Sequence, residues 1–473
     1  MLLRSTGWLC TATICQVLAP AAQSQVAVVS PTPSLSPTAP ASEAEQWKTP
    51  AAQPTEPDAE PQPPSQTTGT QFEQEPGWSG GLLDQEPQNS SGQSLSVESE
   101  PTPESAPAPV DPRSKGYSLI FGVIDLRPKM QFGITFDDNI LISGSNPKRD
   151  VLYTISPGAI LGVGDYLRRQ NNYARLEYDP SLTLFQRYST DNSLEHYLRF
   201  DTQYTFSSLA LGAGFEYDKL AGPDRDIGGR VNRDIYIADL SATYTLSDKT
   251  SLDSDTAFWF RHYQDEIGSQ EIINHEWANY TIVPKLDVAG GVAFGFLSPE
   301  HGGRQTYQQT LVRLRYSASD KLTFSGHAGV EFREFSTRGT LLTPVFGLNT
   351  QYALNASTTL SLNGSRSVTN SAALNGEDYT ATRFTLGLTQ HLIGNFFLTL
   401  AGGYENDAYR QATSFTGGRQ REDNYLFFQP SLDYRLQDWA SLSLSYFYQS
   451  NNSNISANSF RDRQFSLQLH FGF

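Results

Sequence analysis

The last segment of the chain alternates strictly between large apolar residues and polar or small ones. Its apolar positions are Phe465, Leu467, Leu469, Phe471 and Phe473. Side chains two positions apart lie on the same face of a β-strand, so the segment predicts a strand with one apolar and one polar face. A half-buried strand of a soluble antiparallel sheet shows the same pattern. Whether the pattern repeats therefore decides between a soluble sheet and a membrane barrel.

The alternation recurs along the chain from about Met130. About eighteen segments can be placed, each about 9 to 13 residues long, which is the length that a tilted transmembrane strand needs. They begin near Met130, Val151, Tyr173, Leu194, Leu209, Asp234, Thr250, Ile273, Leu286, Thr306, Leu322, Leu341, Thr358, Thr380, Phe396, Asn424, Ser441 and Arg461.

The connections between these segments alternate in length. Short turns on one side and longer loops on the other are typical of a transmembrane barrel, and a soluble sandwich has no reason to sort its loops in this way. The short set includes 206–208, 247–249, 284–285, 319–321, 355–357, 393–395 and 437–439, with 164–172 the longest, and the long set includes 221–233, 410–421 and 451–459.

Several of the short turns are preceded by a triplet that consists of Tyr, any residue, then Leu or Phe. These tyrosines are Tyr204, Tyr244, Tyr352 and Tyr434. Amphipathic rings at one depth form the aromatic girdle of a membrane protein. The alternative is that they are core tyrosines of a soluble β-protein.

The N-terminus predicts export from the cytoplasm. Residues 1–21 combine a positive start, an apolar stretch and small residues at a cleavage site, which is the pattern of a secretory signal peptide. Both cysteines, Cys10 and Cys15, lie inside it. No later apolar run is long enough for a transmembrane helix, so an exported chain that enters a membrane must do so as a closed barrel.

We therefore predict an all-β protein, a transmembrane antiparallel up-and-down β-barrel of about 18 strands in the outer membrane of a Gram-negative cell. The barrel comprises residues 116–473. Residues 22–115 precede it and are rich in Pro, Gln, Ser and Glu, so we expect a disordered acidic periplasmic linker. The linker is either a spacer or a segment that binds a periplasmic partner or the cell wall. Residues 71–84 are its best candidate contact, because they contain Phe72, Trp78, Leu82 and Leu83.

The start of the barrel region carries a family resemblance. The sequence IFGVIDLRP at 120–128, followed by MQFGITFDDNI at 130–140, resembles the opening of the putative β-barrel porin 2 type of outer-membrane protein. The aromatic C-terminus resembles the signal by which the barrel assembly machinery recognises its substrates. The resemblance implies a role in exopolysaccharide production or export. The long proline-rich segment is not part of the family pattern.

The sequence offers little for catalysis. The seven histidines are scattered over separate segments, and no phosphate-binding, nucleophile-elbow or dinucleotide motif is present. We predict no catalytic residue, no cofactor and no resident metal, and hence no enzyme. Asp137, Asp138 and Asn139 could ligate calcium, or they belong to a solvated loop or cap a strand end. A net charge of −16 without a basic cluster gives no support for nucleic-acid binding.

Charged residues occupy the face opposite the apolar positions. Charges on this face would be costly in lipid but are acceptable in a water-filled lumen. The alternative is that opposite charges pair across neighbouring strands and fill the interior. The candidate pore-lining residues are Arg175, Glu177, Arg199, Asp201, Asp239, Arg313, Arg315, Glu331 and Arg333.

Two functions are compatible with this pattern. The first is a porin-like channel for polar solutes in contact with outer-membrane lipids, with an open lumen and a modest preference for cations. The second is a structural or anchoring barrel with a plugged lumen, whose proline-rich segment holds a periplasmic partner or the cell wall.

Overall fold

The computed structural model describes residues 118–472, apart from 168, 170, 171, 320, 337, 338, 374–377 and 413–417. The described residues form nineteen strands and two short 3-10 turns, Ser189–Asp191 and Ser456–Asn458. The strands are β1 (Leu119–Phe121), β2 (Ile124–Asp137), β3 (Asp150–Gly164), β4 (Tyr173–Phe185), β5 (Ser193–Thr205), β6 (Leu209–Asp224), β7 (Gly229–Ser247), β8 (Thr250–Tyr263), β9 (Ser269–Val283), β10 (Leu286–Pro299), β11 (Gln305–Ser319), β12 (Leu322–Phe335), β13 (Thr340–Asn355), β14 (Thr358–Asn370), β15 (Asp378–His391), β16 (Phe396–Ala412), β17 (Gln420–Gln437), β18 (Ala440–Ser453) and β19 (Phe460–Gly472).

Strands β2 to β19 form a closed ring in which each strand pairs antiparallel with the next along the chain. The ring closes where β19 pairs with β2, from Gln464 opposite Asp137 to Gly472 opposite Lys129. The short β1 pairs with β2 as a separate hairpin. The predicted antiparallel barrel of 18 strands is confirmed.

The two faces of the ring differ as the alternation predicted. On β19 the side chains of Phe465 and Leu467 are 53% and 46% exposed, whereas the alternating residues Gln464 and Ser466 are nearly fully buried. The outward face is therefore apolar and the inward face polar. This division suits a wall with lipid on one side and water or polar side chains on the other.

The strands are longer than predicted, because several predicted loops belong to strands. The ring strands β2 to β19 range from 13 residues in β4 to 19 in β7. Of the predicted loop 221–233, only 225–228 connects two strands. The loop predicted at 410–421 likewise lies partly in β16 and β17. These hairpins continue past the apolar band, where polar residues obscure the alternation that identifies a strand.

The predicted starts are most accurate on the side of the short turns. There the predicted and observed strand starts coincide at Tyr173, Leu209, Thr250, Leu286, Leu322, Thr358 and Phe396. On the other side the strands begin earlier than predicted, by several residues in β7, β9 and β17. Short turns are the periplasmic side of a barrel, so the longer strand ends and loops are the outer side.

The tyrosines near the short turns point outward. Tyr204, Tyr244 and Tyr352 are each at least 40% exposed, and Tyr434 contacts Phe396 with ring centroids 4.6 Å apart. Tyr280 and Tyr316 occupy equivalent positions on β9 and β11 and were missed by the sequence reading. Together these rings form a periplasmic aromatic girdle.

The predicted signal peptide, the linker 22–115 and Phe473 lie outside the described residues. No helix of the described part is long and apolar enough to cross a membrane.

The closing strand provides the first test. Phe471 lies beside Trp439 and Phe132, with ring centroids 5.9 and 6.3 Å away. If the assembly machinery reads this strand, Phe471→Ser or loss of Phe473 should lower the amount of barrel in the outer membrane while export continues. The amount is measured by fractionation and by heat-dependent migration on a gel.

A matched control is Leu386→Ser on β15. Leu386 also points outward and is 58% exposed, but it lies far from the chain end. An equal loss of barrel in this control would contradict a special role for the last strand.

Candidate functional site

The predicted pore-lining residues all lie at inward positions of their strands. They alternate with exposed apolar residues: Arg313, for example, stands between Val312 and Leu314, which are 64% and 37% exposed. Glu177, Arg313, Glu331 and Arg333 are nearly completely buried. The remaining five, Arg175, Arg199, Asp201, Asp239 and Arg315, are half-buried.

Most of these charges are neutralised by a neighbour. Arg313 Nη2 donates to Asp253 Oδ2 at 2.6 Å and to Asn279 Oδ1 at 2.6 Å. Arg333 Nε donates to Glu331 Oε1 at 2.7 Å. Arg175 pairs with Glu177, and Arg199 lies 3.8 Å from Asp201. Buried charges need such partners, because desolvation of an unpaired charge is expensive.

Several guanidinium groups also lie over aromatic rings. Arg313 is 4.3 Å from the centroid of Trp277, and Arg333 is 4.2 Å from that of Tyr307. Cation–π contacts of this kind strengthen when the pair is shielded from water. The sequence reading missed these inward aromatics, although their position in the polar phase of β9 and β11 could have revealed them.

The outer end of the β6–β7 hairpin leaves the wall and folds into the lumen. We call residues 220–231 the β6–β7 tip. Strand β5 pairs with β6 only as far as Lys219, and β8 pairs with β7 only from Arg233. Within the tip, consecutive residues from Ala221 to Arg225 are all buried. Burial of consecutive strand residues means that both faces are covered, which a position in the wall would not provide.

Arg225 at the end of this tip reaches the opposite wall. Its Nη2 donates to Glu405 Oε1 at 2.9 Å, and its Nη1 lies 3.8 Å from Asp407 Oδ2. Its guanidinium also lies 3.9 Å from the ring centroid of Tyr425. Strands β16 and β17, which carry these partners, lie nearly halfway around the ring from β6. The tip therefore spans the lumen in its outer half.

Asp226 is held by a set of donors that we call the Asp226 clasp: Ser371, Ala372, Tyr409 and Arg421. Tyr409 Oη donates to the carboxylate at 2.6 Å, and the backbone N–H of Ala372 donates to it at 2.6 Å. Ser371 Oγ donates at 2.9 Å, and Arg421 lies 3.6 Å away. Arg421 also donates to the Asp226 carbonyl at 2.6 Å. Hydrogen bonds to a charged group are the stronger kind, so the clasp pins the tip firmly.

The end of the β14–β15 hairpin supplies part of this clasp. Strand β13 pairs with β14 only as far as Arg366, and the buried residues 367–369 and 371–372 beyond it lie inside the ring. Ala372 O accepts from the backbone N–H of Ile267 at 2.9 Å, which joins this hairpin to the β8–β9 connection. The outer half of the lumen is therefore narrowed by two hairpin ends that meet each other.

The connection between β2 and β3 also packs inward. Ile140 and Ile142 are at most 2% exposed, and Ile142 contacts Tyr425, Phe427 and Phe460. Apolar side chains beneath an outer connection fix it over the lumen.

The residues before this connection act as strand-end caps. Asp137 accepts from the Asn139 backbone N–H at 2.7 Å, and Asp138 accepts from the Arg463 N–H at 2.8 Å. Asn139 bonds the backbone of Ser143 and Arg461. Within the described residues, no group of three or more His, Cys, Asp or Glu is placed to hold a metal ion. These contacts agree with the capping alternative for Asp137 to Asn139.

The different surroundings of Arg313 and Arg315 predict different effects on ion selectivity. Arg313 is neutralised by Asp253, whereas Arg315 is half-buried on the same face. Arg315→Ala should shift the reversal potential of the barrel toward cations at low salt. The shift should shrink in about 1 M salt, where the screening length is roughly 3 Å.

The double variant Arg313→Ala, Asp253→Ala is the control, because it removes a paired positive and negative charge together. Its reversal potential should remain near that of the wild type. A shift as large as that of Arg315→Ala would contradict the difference between the two arginines.

Comparison with known proteins gives one family match. Residues 323–473 match the family model described as "Putative beta-barrel porin 2". No curated protein has significant sequence similarity to this chain.

Solved structures of outer-membrane proteins are similar at low sequence identity. OpdK of Pseudomonas aeruginosa is 11% identical with a TM-score of 0.40, over 74% of this chain and 98% of its own. OccAB3 of Acinetobacter baumannii is 9% identical with a TM-score of 0.40, over 75% and 100%. OprD of Pseudomonas aeruginosa is 10% identical with a TM-score of 0.37, over 76% and 97%.

The family match is to the family suspected from the sequence, and it lies in the C-terminal part of the barrel rather than in the first strand. It also agrees with the closed ring of antiparallel strands with an apolar outer face. The chain is a closed β-barrel of the outer membrane, and its residues 323–473 match the family described as "Putative beta-barrel porin 2".

Proposed function

We propose that the barrel conducts small polar solutes across the outer membrane and that the β6–β7 tip controls the passage. The contact of Arg225 and Asp226 with the opposite wall carries this proposal. A segment that spans the lumen and is held by a few hydrogen bonds and ion pairs, rather than by wall pairing, can be released without breaking the ring. Solutes then pass when the tip withdraws from the clasp.

The chemistry of the contact sets the strength of closure. Hydrogen bonds to a charged group contribute about 1.5–3 kcal/mol each. Release returns Asp226 and Arg421 to water, which offsets much of the loss. A net docking free energy of about 3 kcal/mol would keep the tip docked roughly a hundredfold more often than released. The barrel would then conduct in rare, brief openings rather than as a steadily open pore.

The plugged, anchoring barrel is the second candidate, and the same clasp favours it. In that case the tip never leaves the wall, and the proline-rich segment supplies the function by binding a periplasmic partner or the cell wall. Participation in exopolysaccharide traffic, which the family resemblance implies, would also require release of the tip. A single measurement of conductance separates passage from plugging.

Removal of the Asp226 carboxylate should open the channel. Asp226→Ala loses the hydrogen bonds from Tyr409, Ser371 and the Ala372 backbone. If this removes about 3 kcal/mol of docking free energy, the population of the released state relative to the docked state should rise roughly a hundredfold. Planar-bilayer recordings should show a higher and longer-lived conductance than the wild type. Tyr409→Phe, which removes a single donor, should give a smaller increase.

The control is Asp248→Ala in the exposed turn at the periplasmic end of β7. It removes the same charge near the opposite end of β7 without touching the clasp, so its conductance should match the wild type. An Asp226→Ala barrel that inserts but stays silent would contradict the channel and favour the plugged alternative.

Mild acid should close the channel further. Burial, followed by the nearby carboxylates of Asp226, Asp224 and Asp265, raises the pKa of Glu266 in the β8–β9 connection. Ionised Glu266 therefore opposes docking of the acidic tip, and its protonation removes the opposition. As the pH falls from neutral toward the ordinary value of 4.5, the open fraction should decrease, and Glu266→Gln should abolish this change. An open fraction that rises with acid in the wild type would contradict this role.

A further inference from the structure

A small polar patch interrupts the apolar outer face on strands β8 and β9. It consists of Ser254 and Thr256 on β8 and Asn274 and Glu276 on β9, which are cross-strand neighbours. Their positions are in phase with the exposed apolar residues of the same strands, so their side chains point away from the lumen. Within the patch, Glu276 is an ionisable residue.

The patch lies at the depth of the hydrocarbon. On β9, Ile272 and Tyr280 are 36% and 49% exposed on either side of Glu276. On β8, Leu252 and Phe258 enclose Ser254 and Thr256 in the same way, at 44% and 43% exposed. Tyr280 belongs to the periplasmic girdle, so Glu276 lies four residues further along β9 into the membrane. Ionisable residues that face lipid at this depth are destabilising, so a partner that covered Glu276 would relieve that cost.

Other outward charges occupy different depths. Asp234, Glu334 and Glu422 lie toward the outer ends of β7, β12 and β17, where headgroups and water are within reach. Glu276 instead lies near the middle of β9. A long charged side chain can extend to the nearest interface and keep its charge in water. The glutamate side chain is too short to do this from the depth of Glu276.

Internal hydrogen bonds satisfy the patch only in part. Ser254 Oγ donates to Glu276 Oε1 at 2.7 Å, and Asn274 Nδ2 donates to Thr256 Oγ1 at 3.0 Å. A carboxylate can accept about four hydrogen bonds, and an amide and a hydroxyl can each donate again. The patch therefore has both an acceptor and donors to offer to a partner.

A shallow depression lies next to the patch. Gly290 on β10 stands opposite Ala278 on β9, and both are exposed. A Cβ added at Gly290 would have nothing within 4 Å. Small side chains at this place allow another wall to approach the backbone closely, which side chains such as Phe294 would prevent.

We infer that this face of β8–β10 is the contact between two copies of the chain in the outer membrane. A soluble partner cannot reach this depth, and within lipid a protein that covers the patch must itself be a closed barrel or a transmembrane helix. A second copy meets the requirement by symmetry: about an axis normal to the membrane, its own patch lies at the same depth. The acceptor and donors of one copy then face those of the other, and both patches are removed from lipid.

Single-cysteine crosslinking in intact membranes tests this contact. The two native cysteines, Cys10 and Cys15, both fall in the predicted signal peptide. Ala278→Cys should therefore give a disulfide-linked species of twice the mass under mild oxidation. Leu444→Cys on β18 is the control, because Leu444 is 54% exposed on the outward face of the opposite side of the ring. The Leu444→Cys variant should give at least about tenfold less of the disulfide-linked species than Ala278→Cys.

The role of the carboxylate is tested in the same background. Glu276→Leu suits lipid better than glutamate, so the barrel should still insert and show heat-dependent migration. The crosslinked yield of Ala278→Cys should nevertheless fall several-fold, and light scattering in detergent should show a shift toward the monomer mass. Equal yields at both cysteine positions, no crosslink at Ala278→Cys, or a product of another mass would each overturn the inference. None of these readouts depends on conduction.

Discussion

The need to pair every backbone N–H and C=O within lipid is the constraint on which this structure depends. A sheet with free edges cannot satisfy it, so the ladder between β19 and β2 determines whether the other strands can remain in the membrane. That ladder runs from Gln464 opposite Asp137 to Gly472 opposite Lys129. Because side chains alternate strictly, a slip of one residue there would turn the polar face of β19 toward lipid. The register between β19 and β2 therefore determines both the closure of the ring and which face of β19 points toward lipid.

The sequence predicts the wall better than it predicts the contents of the lumen. Strand starts at Leu209, Thr250 and Thr358 were predicted correctly because a short turn and a girdle tyrosine mark the periplasmic ends. Outer ends lack such marks, so β7 begins at Gly229 rather than near Asp234. The inward phase of Arg313 and Arg333 could be read directly from the alternation. Their partners could not, since pairing depends on which strands meet inside the ring.

The Asp226 clasp illustrates a contact that sequence cannot predict. Arg225 and Asp226 lie between a proline and a glycine-containing turn, which reads as a solvated loop. Their partners Glu405, Tyr409 and Arg421 are far away in sequence and come from the other side of the ring. The contact exists because β6 and β7 extend beyond their wall neighbours and bend inward. Glu276 differs, since a charge in the apolar phase of a strand is visible in the sequence and was overlooked.

The pairing of inward charges changes what the polar face does. A free charge would shape the field of a water-filled pore, whereas Arg333, bonded to Glu331 and Gln305 and covered by Tyr307, is part of a packed interior. Apolar residues of similar size could often stabilise such an interior equally well. They would, however, make the two faces of a strand alike, and the register would lose the difference that orients it in the membrane. Buried ion pairs keep the inner face unfit for lipid while leaving little net charge inside. The same reasoning explains why Glu276, which breaks the rule on the outer face, requires a protein partner rather than lipid.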